Sequence, residues 1–376
     1  MGMKGRGRLQ RKCLNEAFFP EPRATSRVVK ISVGIDYHQN ICRVCAMTPD
    51  GKVLFDENCE STAKFVNDFV SWQFGKKRKV HCEAAVEACG GAAKFAEDLR
   101  QLGWDVHLAH AATVARLGKH LDKTDKHDAH VLADLVRVGY LPHVFLAPER
   151  QRQLRSLVRF RMDLAKRKKQ IRMRIRGLMR ESHLRISIEH SPWTLTWLAE
   201  LRKRIDELGS ERSWICEQHL AELDDLKLRL LQVEKRLEVA VAEAPGSSRL
   251  LAQKGIGLIT AAILLAEVGD FHRFRNGKQL CRYCGLAPVN ESSGDRDHQR
   301  GIGHACNGDL RRMLIEASHR LSRYTPRWRE MKSRLMRNGK KRAVATVAVA
   351  NRWLRRLHYE MIQPEPLPEP SEATAA

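Results

Sequence analysis

The stretch VVKISVGIDYH, residues 28–38, decides the fold of the first half of the chain. Apolar side chains alternate with other residues from Val29 to Ile35, which is the pattern of a β-strand with a buried face. The strand ends on Asp36, so a carboxylate is expected at the edge of a sheet. The segments that follow indicate what kind of sheet this strand belongs to.

Two further strand patterns come next, NICRVCAMT (40–48) and KVLFDEN (52–58), with a PDG turn signal around their junction. Helix and strand patterns then alternate: a helix in STAKFVNDFVSWQF, a strand in KRKVHCEAAVE, a helix in GGAAKFAEDLRQLG, a strand in WDVHLAHA and a helix in DKTDKHDAHVLADLVRVG. A meander of three strands followed by this alternation predicts a ribonuclease-H-like mixed α/β domain over residues 28–147.

The charge balance indicates a nucleic-acid partner. The chain has 376 residues, with 67 Lys+Arg against 44 Asp+Glu and a formal net charge of +23. Such an excess suits a polyanion, although a basic surface can also simply be solvated. No apolar run of about 18 residues is present, so no transmembrane helix is expected, and residues 1–27 lack the apolar segment of a secretory signal. We interpret residues 1–27 as a flexible basic arm and expect a cytoplasmic protein that associates with the nucleoid when it acts.

Residues 148–244 show helical periodicity throughout. Leucine and isoleucine recur every seven residues at Leu157, Leu164, Ile171 and Leu178, and a later series alternates steps of three and four at Leu223, Leu226, Leu230, Val233, Leu237 and Ala240. This heptad pattern predicts an antiparallel helical pair or a dimerising coiled coil. Eight Lys or Arg lie within residues 166–180, which is a dense basic face for a helix that is merely solvated. The candidate nucleic-acid contacts on it are Lys166, Lys169, Arg172 and Arg176.

A break at APGSS (244–248) opens a third region, residues 245–362, which we expect to be helical. KGIGLITA (254–261) places Gly-Ile-Gly between two apolar helical patterns, as in the hairpin of a helix-hairpin-helix element. In that element glycine amides and a helix N-terminus meet a phosphate, and a Gly-rich helix–helix turn is the alternative. Lys254, Gly255 and Gly257 are the candidate nucleic-acid contacts here. The tail, residues 363–376, is rich in Pro and Glu and is expected to be disordered.

Acidic residues at predicted strand ends and on one predicted helix could hold a metal ion. The four candidates are Asp36, Glu87, Asp125 and Asp128. Carboxylates close together need cations, hard oxygen ligands select Mg²⁺, and two Mg²⁺ ions suit phosphodiester displacement. The register stays open, because Asp122 could pair with Asp125 and Glu83 shares a strand face with Glu87. Strand caps and solvated helix acids are the structural alternative.

Two other segments carry potential ligands or nucleophiles. CRYC (281–284), with His298, His304 and Cys306 downstream, could bind Zn²⁺, but its apolar surroundings favour buried core cysteines. SSGDRDHQRGIG (292–303) has the composition of a polar loop. A serine there could be a nucleophile, yet free serine is weak without a base or a metal, and no G-x-S-x-G motif accompanies it. Its own residues therefore predict a connector.

Taken in order, these motifs resemble one family. GIDYH, EACG, KTDKHDA, PGSSRLLAQKGIGLITAAILLAEVGD and LCRYCGLAPVNESSG are similar to segments of the DEDD-type transposases of the insertion-sequence one-ten group, the bridge-RNA-guided serine recombinases. The matching pieces span residues 28–321, most of the chain. The resemblance implies a RuvC-like N-terminal domain, a helical coiled-coil middle region and a helical C-terminal transposase domain with a serine loop.

The resemblance also assigns residues. The acidic tetrad of the family falls on Asp36, Glu87, Asp125 and Asp128, and its catalytic serine on Ser293, with Ser292 as the near neighbour. Arg296, His298 and Arg300 become candidate phosphate contacts beside that serine. Cys89 stands where the family usually has threonine. The N-terminal arm and residues 185–197 look like additions, and no function is carried onto them.

The activity implied is DNA strand cleavage and rejoining through a phosphoserine, with Mg²⁺ held by the tetrad and a Holliday-junction-like intermediate. The partners implied are double-stranded DNA (element ends and target), a guide RNA encoded beside the gene, and further copies of the chain in a dimer or tetramer. Three rival functions stay open: a Mg²⁺-dependent endonuclease that uses water, a non-catalytic nucleic-acid-binding protein, and an actin-like ATPase. The last is disfavoured because no phosphate-cradling Gly-rich loop follows GIDYH.

Overall fold

The computed structural model describes residues 28–74, 79–117, 125–187, 189, 191–293, 296–303 and 305–364, with side chains at all of these except 28, 79, 125, 126, 290–293 and 296–300. The chain divides into two compact units, Met1–Ala147 and Pro148–Ala376. The predicted basic arm (1–27), residues 365–376 of the predicted tail, and Asp122 lie outside the described residues. Among the described helices, none is both long and apolar enough to cross a membrane.

The first unit is built on a six-stranded mixed sheet in the order β3-β2-β1-β4-β5-β6. Its strands are β1 (Val28–Asp36), β2 (Ile41–Met47), β3 (Val53–Glu60), β4 (Lys79–Glu87), β5 (Asp105–Ala109) and β6 (His143–Val144), and its helices are α1 (Ala63–Phe74), α2 (Ala92–Gln101), α3 (Ala111–Leu117) and α4 (Asp125–Arg137). β2 is antiparallel to β1 and β3, whereas β4 is parallel to β1 and β5. This confirms the predicted mixed α/β unit. β6 and α3 have no counterpart in the sequence patterns, because elements this short carry too little periodicity.

Helices cover both faces of this sheet. Alternation along β1 puts Ile31, Val33 and Ile35 on one face, where they are fully buried in a core shared with α1 and α2. The other face packs against α4, and Gly34 makes that close approach possible. A Cβ at Gly34 would lie 1.9 Å from the carbonyl oxygen of Ala129. The glycine of GID is therefore required for α4 to lie directly on β1.

In the described part of the chain, the second unit is helical apart from one hairpin. Its elements are α5 (Glu149–Glu181), α6 (Leu195–Lys203), α7 (Ser210–Ala242), α8 (Ser247–Leu251), α9 (Leu258–Glu267), α10 (Gly277–Tyr283), β7 (Pro288–Ser293), β8 (Arg296–Ile302), α11 (Gly308–Tyr324), α12 (Pro326–Arg337) and α13 (Arg342–Met361), with 3-10 turns at Ile205–Leu208 and Phe271–Arg273. α9 is the central helix, since every residue from Thr260 to Glu267 is buried. A helix that is apolar nearly all round needs cover on all sides.

α5 and α7 form the antiparallel pair that the heptad pattern predicts. Arg161 on α5 lies 2.7 Å from Glu234 on α7, and Ser182, just past α5, donates to the carbonyl oxygen of Leu208, just before α7. The heptad positions of both helices are buried or half-buried in the core between them. These heptad residues therefore pack two helices of one chain against each other.

Residues 292–293 and 296–302 of SSGDRDHQRGIG lie in two paired strands, which corrects the loop predicted from the composition of this segment. β7 and β8 are antiparallel, with Ser292 opposite Asp297 and Ser293 opposite Arg296. Backbone groups make this ladder, so polar side chains do not prevent it and composition does not reveal it. The predicted serine loop is instead the end of a strand that carries both serines.

Candidate active site

Two carboxylates stand at neighbouring strand ends in the first unit. Asp36 is the last residue of β1 and Glu87 the last of β4. These strands are parallel and Ile35 lies opposite Val86, so the residues that follow them are neighbours. Asp36 lies two positions after Gly34 and therefore shares the sheet face that α4 covers.

Helix α4 brings a third carboxylate toward the same end of the sheet. Arg137, at the end of α4, donates to the carbonyl oxygen of Pro49 (3.4 Å). Pro49 comes just after β2, and that end of β2 lies beside the first half of β1. α4 therefore runs opposite to β1, and its first turn lies toward Asp36. Asp128 is half-buried in that turn, next to Ala129, whose carbonyl oxygen contacts β1.

The structure thus brings Asp36, Glu87 and Asp128 toward one end of one sheet face, from three separate elements. Asp125 is the first residue of α4, within one helical turn of Asp128, and its side chain lies outside the described atoms. The arrangement is of the kind that gathers metal ligands, because carboxylates from different elements converge where strands end. The role of the four acids as a metal-binding tetrad stays a prediction.

Other side chains line the strand ends. Asp36 is 7% exposed, and Nε2 of His38 lies 3.2 Å from its Oδ2. The Sγ of Cys89 lies 3.5 Å from the carbonyl oxygen of Tyr37. Burial, and then the charge of Glu87, raises the pKa of the Cys89 thiol, so it stays protonated near neutral pH. Sequence reasoning missed His38, although the spacing Asp-x-His at a strand end puts both side chains on one face.

A second polar group lies on the same face, nearer the start of β4 and β5. Ligand atoms of Glu83, Asp105 and His107 all lie within 4.8 Å of one another. The Nζ of Lys30 lies 2.9 Å from Glu83, so a cation of the protein already faces this carboxylate. Four strand residues, about 13 Å, separate Glu83 from Glu87. This group, which sequence reasoning missed apart from Glu83, is therefore distinct from the strand-end acids.

The predicted nucleophile lies on the hairpin of the second unit. Arg296 stands directly opposite Ser293 in the backbone ladder, and β8 also carries His298 and Arg300. The three predicted phosphate contacts therefore share the hairpin with the serine. Their side chains, like those of both serines, lie outside the described atoms, so Ser292 and Ser293 remain alternatives.

The Gly-Ile-Gly segment forms the turn between α8 and α9. Gly255 has a left-handed φ of 94°, and its carbonyl oxygen accepts a hydrogen bond from Nε of Arg320 (2.9 Å). Gly257 is the N-cap residue of α9, and Lys254 is exposed. A cleft of about 670 Å³ beside this turn is lined by three arginines and three glutamates, Arg161, Arg312, Arg320, Glu234, Glu238 and Glu316. Balanced charges do not by themselves select an anion, so phosphate binding at this turn stays a prediction.

The predicted nucleic-acid contacts on α5 fall into two groups. Nζ of Lys166 lies 3.3 Å from a carboxylate oxygen of Asp309, so this lysine is already paired. Lys169, Arg172 and Arg176 have no carboxylate within ion-pair distance among the described residues. The second group is therefore the better candidate for a phosphate partner.

The CRYC cysteines lie in the core, as their apolar surroundings predict. Cys281 is 1% exposed and Cys284 0%, and Sγ of Cys281 lies 3.3 Å from the carbonyl oxygen of Asn351. Burial raises the pKa of Cys281 to about 12 and also raises the pKa of Cys284. Their burial and raised pKa values agree with the interpretation of these cysteines as core residues.

Comparison with known proteins identifies the family. A DEDD transposase model of the IS110 type matches residues 33–184. A second model, described as "Transposase IS116/IS110/IS902 family", matches residues 247–333. The chain belongs to the IS110 family of transposases. In this transposase the four predicted acids lie in the first matched segment and Ser293 lies in the second, whereas residues 185–246 are matched by neither model.

Relatives of this IS110-family transposase cover most of its length. A probable family 20 transposase of Pseudomonas aeruginosa is 28% identical over 275 residues, 72% of this chain and 81% of that protein. The transposase for insertion sequence element IS1111A of Coxiella burnetii is 26% identical over 352 residues, 89% of this chain and 90% of that protein. An insertion element IS110 protein of Streptomyces coelicolor is 26% identical over 378 residues, 86% of this chain and 91% of that protein.

Proposed function

We propose that this insertion-sequence transposase cuts and rejoins DNA through a covalent bond between Ser293 and a DNA phosphate, with Mg²⁺ held by Asp36, Glu87, Asp125 and Asp128. One observation carries the proposal: Asp36, Glu87 and Asp128 approach the same end of one sheet face from three elements. A structural role for each acid alone would not require that convergence.

The donor set fits Mg²⁺. Carboxylate oxygens are hard ligands, and acids gathered at one place all stay ionised only when a cation offsets their repulsion. Asp36 is buried, which favours its pairing with positive charge. When bound, the metal would supply positive charge beside the scissile phosphate and lower the energy of its displacement.

The chemical step exchanges one phosphoester for another. Oγ of Ser293 forms a bond to phosphorus, the bond from phosphorus to one deoxyribose oxygen breaks, and the serine proton ends on the released deoxyribose hydroxyl. Attack by a deoxyribose hydroxyl of another strand reverses these changes and frees the serine. One ester replaces another in each step, so rejoining needs no external energy source. Arg296, His298 and Arg300 would hold the phosphate oxygens during both steps.

The proposed partners are nucleic acids and further copies of the chain. The net charge of +23 supports binding to double-stranded element ends and target DNA. Aromatic residues make up only 6% of the chain, which leaves few platforms for base stacking. As the family resemblance implies, we propose that an element-encoded RNA selects the target by base pairing and that the transposase acts as a dimer or tetramer, and the low aromatic content is consistent with that division of labour.

The serine assignment is tested by trapping the covalent product. Purified Ser293→Ala and Ser292→Ala variants are incubated with labelled element-end DNA and Mg²⁺, and adducts are separated on denaturing gels. Ser293→Ala should form no adduct and should cleave only at the background rate. Ser292→Ala should form the adduct and cleave at the wild-type rate. Cleavage by Ser293→Ala at the wild-type rate would overturn the assignment: a persistent adduct would point to Ser292 as the nucleophile, and cleavage without any adduct would point to water.

The metal assignment is tested by neutralising acids one at a time. Asp36→Asn and Asp128→Asn should each reduce Mg²⁺-dependent cleavage at least about 100-fold while DNA binding persists, because a metal contributes several kcal/mol to such displacements. Glu83→Gln, on the same sheet face but about 13 Å from Glu87, is the matched control and should cleave normally. An equal loss of cleavage in Glu83→Gln would mean that the metal site is not confined to the acids at the strand ends.

A further inference from the structure

Four cations of α5 form a stripe along one face of the helix. Lys169, Arg172, Arg176 and Arg180 follow one another at steps of three and four residues, so their side chains emerge within a narrow arc. At 1.5 Å per residue this basic stripe is about 16 Å long. Within the part of the chain that the structure describes, none of the four has a carboxylate within ion-pair distance. The stripe is therefore positive charge that the described residues do not neutralise.

Trp193 lies against the middle of the basic stripe. The Cζ atoms of Arg172 and Arg176 lie 5.1 and 5.6 Å from the centroid of its ring. The same ring packs against Trp197, with centroids 4.7 Å apart. Because two guanidiniums and a second indole share this ring, it offers a nucleic acid fixed arginines rather than a bare surface for stacking.

The backbone at Trp193 is held in an unusual conformation. Its φ is 74°, and among the described non-glycine residues only His183 shares a positive φ. A bulky residue persists in this region only where its surroundings over-determine its position. At Trp193 those surroundings are Arg172, Arg176 and Trp197, so the contacts with the stripe are part of what keeps the ring in place.

Fixed guanidiniums suit one kind of partner. Arginine binds phosphate oxygens through a planar fork, and holding that fork in place beforehand reduces the entropy lost on binding. One strand of a duplex presents a phosphate about every 3.4 Å along the axis, so a stripe of about 16 Å matches roughly five phosphates. The chemistry recognised is the phosphodiester backbone, which duplex DNA and duplex RNA share.

We propose that Trp193 is a positioning residue for duplex binding, which holds Arg172 and Arg176 so that the basic stripe follows a phosphodiester backbone. The proposal rests on the proposed function only in that the transposase binds nucleic acid. Trp193 lies in the segment that neither family model matches, residues 185–246, whereas the basic stripe lies within the segment that the first model matches.

The test is a double-mutant cycle on the full chain. Binding to a short labelled DNA duplex, and to an RNA duplex of the same sequence, is measured by fluorescence anisotropy without Mg²⁺. Trp193→Ala should weaken binding about 5- to 50-fold, because two arginine side chains must then be immobilised on binding. In a background of Arg172→Ala with Arg176→Ala, the same change should have no further effect. Trp214→Ala, on α7 and 58% exposed, is the matched control and should bind normally.

Each outcome decides the proposal. Loss of affinity only when the arginines are present supports it, and the duplex that shows the loss, DNA or RNA or both, identifies the backbone. No loss, or the same loss with and without the arginines, overturns it, because Trp193 would then only attach its segment to α5. A failure of the serine chemistry leaves this result unchanged, since the assay detects binding alone.

Two further variants, Trp193→Gly and Trp193→Phe, protect the test against misfolding. Trp193→Gly removes the ring but relieves the left-handed strain, so it should fold at least as well as Trp193→Ala. Trp193→Phe keeps part of the contact with the guanidiniums. At equal thermal stability, Trp193→Phe should bind the duplex more tightly than Trp193→Gly, and equal binding by the two variants would contradict the proposal.

Discussion

The two halves of α5 carry similar positive charge and use it differently. In the first half the cations meet acids of neighbouring helices: Arg155 and Arg159 meet Glu267, Arg161 meets Glu234 and Lys166 meets Asp309. In the second half the basic stripe meets no carboxylate among the described residues. The number of cations along a helix therefore does not reveal their role, whereas the acids supplied by packed neighbours do.

The cause of the difference is what each half packs against. The first half of α5 contributes Leu154, Val158 and Met162 to the core around α9, where acidic side chains from α9 and α11 lie within reach. The second half contributes Ile171 and Ile175 to the smaller core with α6 and α7. Charge in the first half stabilises the unit, and charge in the second half is left for a partner.

The largest effect on stability is expected from removing the buried acid that pairs with the first half of α5. The side chain of Glu267 is 7% exposed and faces Arg155, which is 23% exposed. Glu267→Ala should lower the free energy of unfolding by about 3 kcal/mol, because a largely buried cation loses the carboxylate that balances its charge. Urea unfolding followed by circular dichroism measures the change.

An exposed ion pair that involves the same half of α5 provides the matched control for this prediction. Glu243 pairs with Arg150, and both side chains are 62% exposed. Glu243→Ala should cost no more than about 0.5 kcal/mol, as exposed ion pairs contribute little. If Glu267→Ala and Glu243→Ala were equally stable, burial would not determine how much an ion pair in this half of α5 contributes to stability.

The next effect is expected on binding rather than on stability. The double variant Lys169→Ala with Arg180→Ala removes both ends of the basic stripe. Its free energy of unfolding should stay within about 0.5 kcal/mol of wild type, because no described acid loses a partner. The slope of log affinity for duplex DNA against log salt should fall by about 0.9 for each lost phosphate contact. A loss of stability as large as that of Glu267→Ala would contradict the division of α5.

Much of the fold follows from local pattern. Alternation in β1 and the heptads of α5 and α7 predict these elements, because each has one buried face that its own period records. Asp36 and Glu87 could also be picked out as candidates from the sequence, since acids at the ends of apolar strands stand out there. Gly34 is less obvious: that α4 needs a glycine there depends on a helix distant in sequence.

The features that sequence does not reveal depend on partners elsewhere in the chain. The β7–β8 hairpin is held by backbone pairing, which polar composition conceals. Lys166 and Lys169 look equivalent in sequence, and only the packing of α11 gives one of them an acid. Trp193 lies in a segment that looks like an addition, and its importance appears only in its contacts with Arg172 and Arg176.

The smallest effect sharpens the boundary between the halves, which falls at Lys166. Burial tends to raise the pKa of Asp309, but hydrogen bonds from Arg312 and Lys166 outweigh it and lower that pKa overall. A carboxyl pKa below its unfolded value of about 3.9 adds stability above that pH, and the stability is lost as pH falls through the folded value. Both partners are partly exposed, 59% for Lys166 and 31% for Asp309.

Lys166→Ala should therefore lower the free energy of unfolding at pH 7 by only about 0.5 kcal/mol, and the difference should shrink at acidic pH as Asp309 becomes protonated. Arg167→Ala is the control for loss of a cation whose ion pair, with Asp163 on the same helix, is exposed on both sides. Suppose instead that Lys166→Ala leaves stability unchanged at both neutral and acidic pH and weakens duplex binding as much as Arg176→Ala. Lys166 would then act with the basic stripe, and the boundary would move one helical turn toward the start of α5, because its pairing with Asp309 would be too weak to hold it from a phosphate.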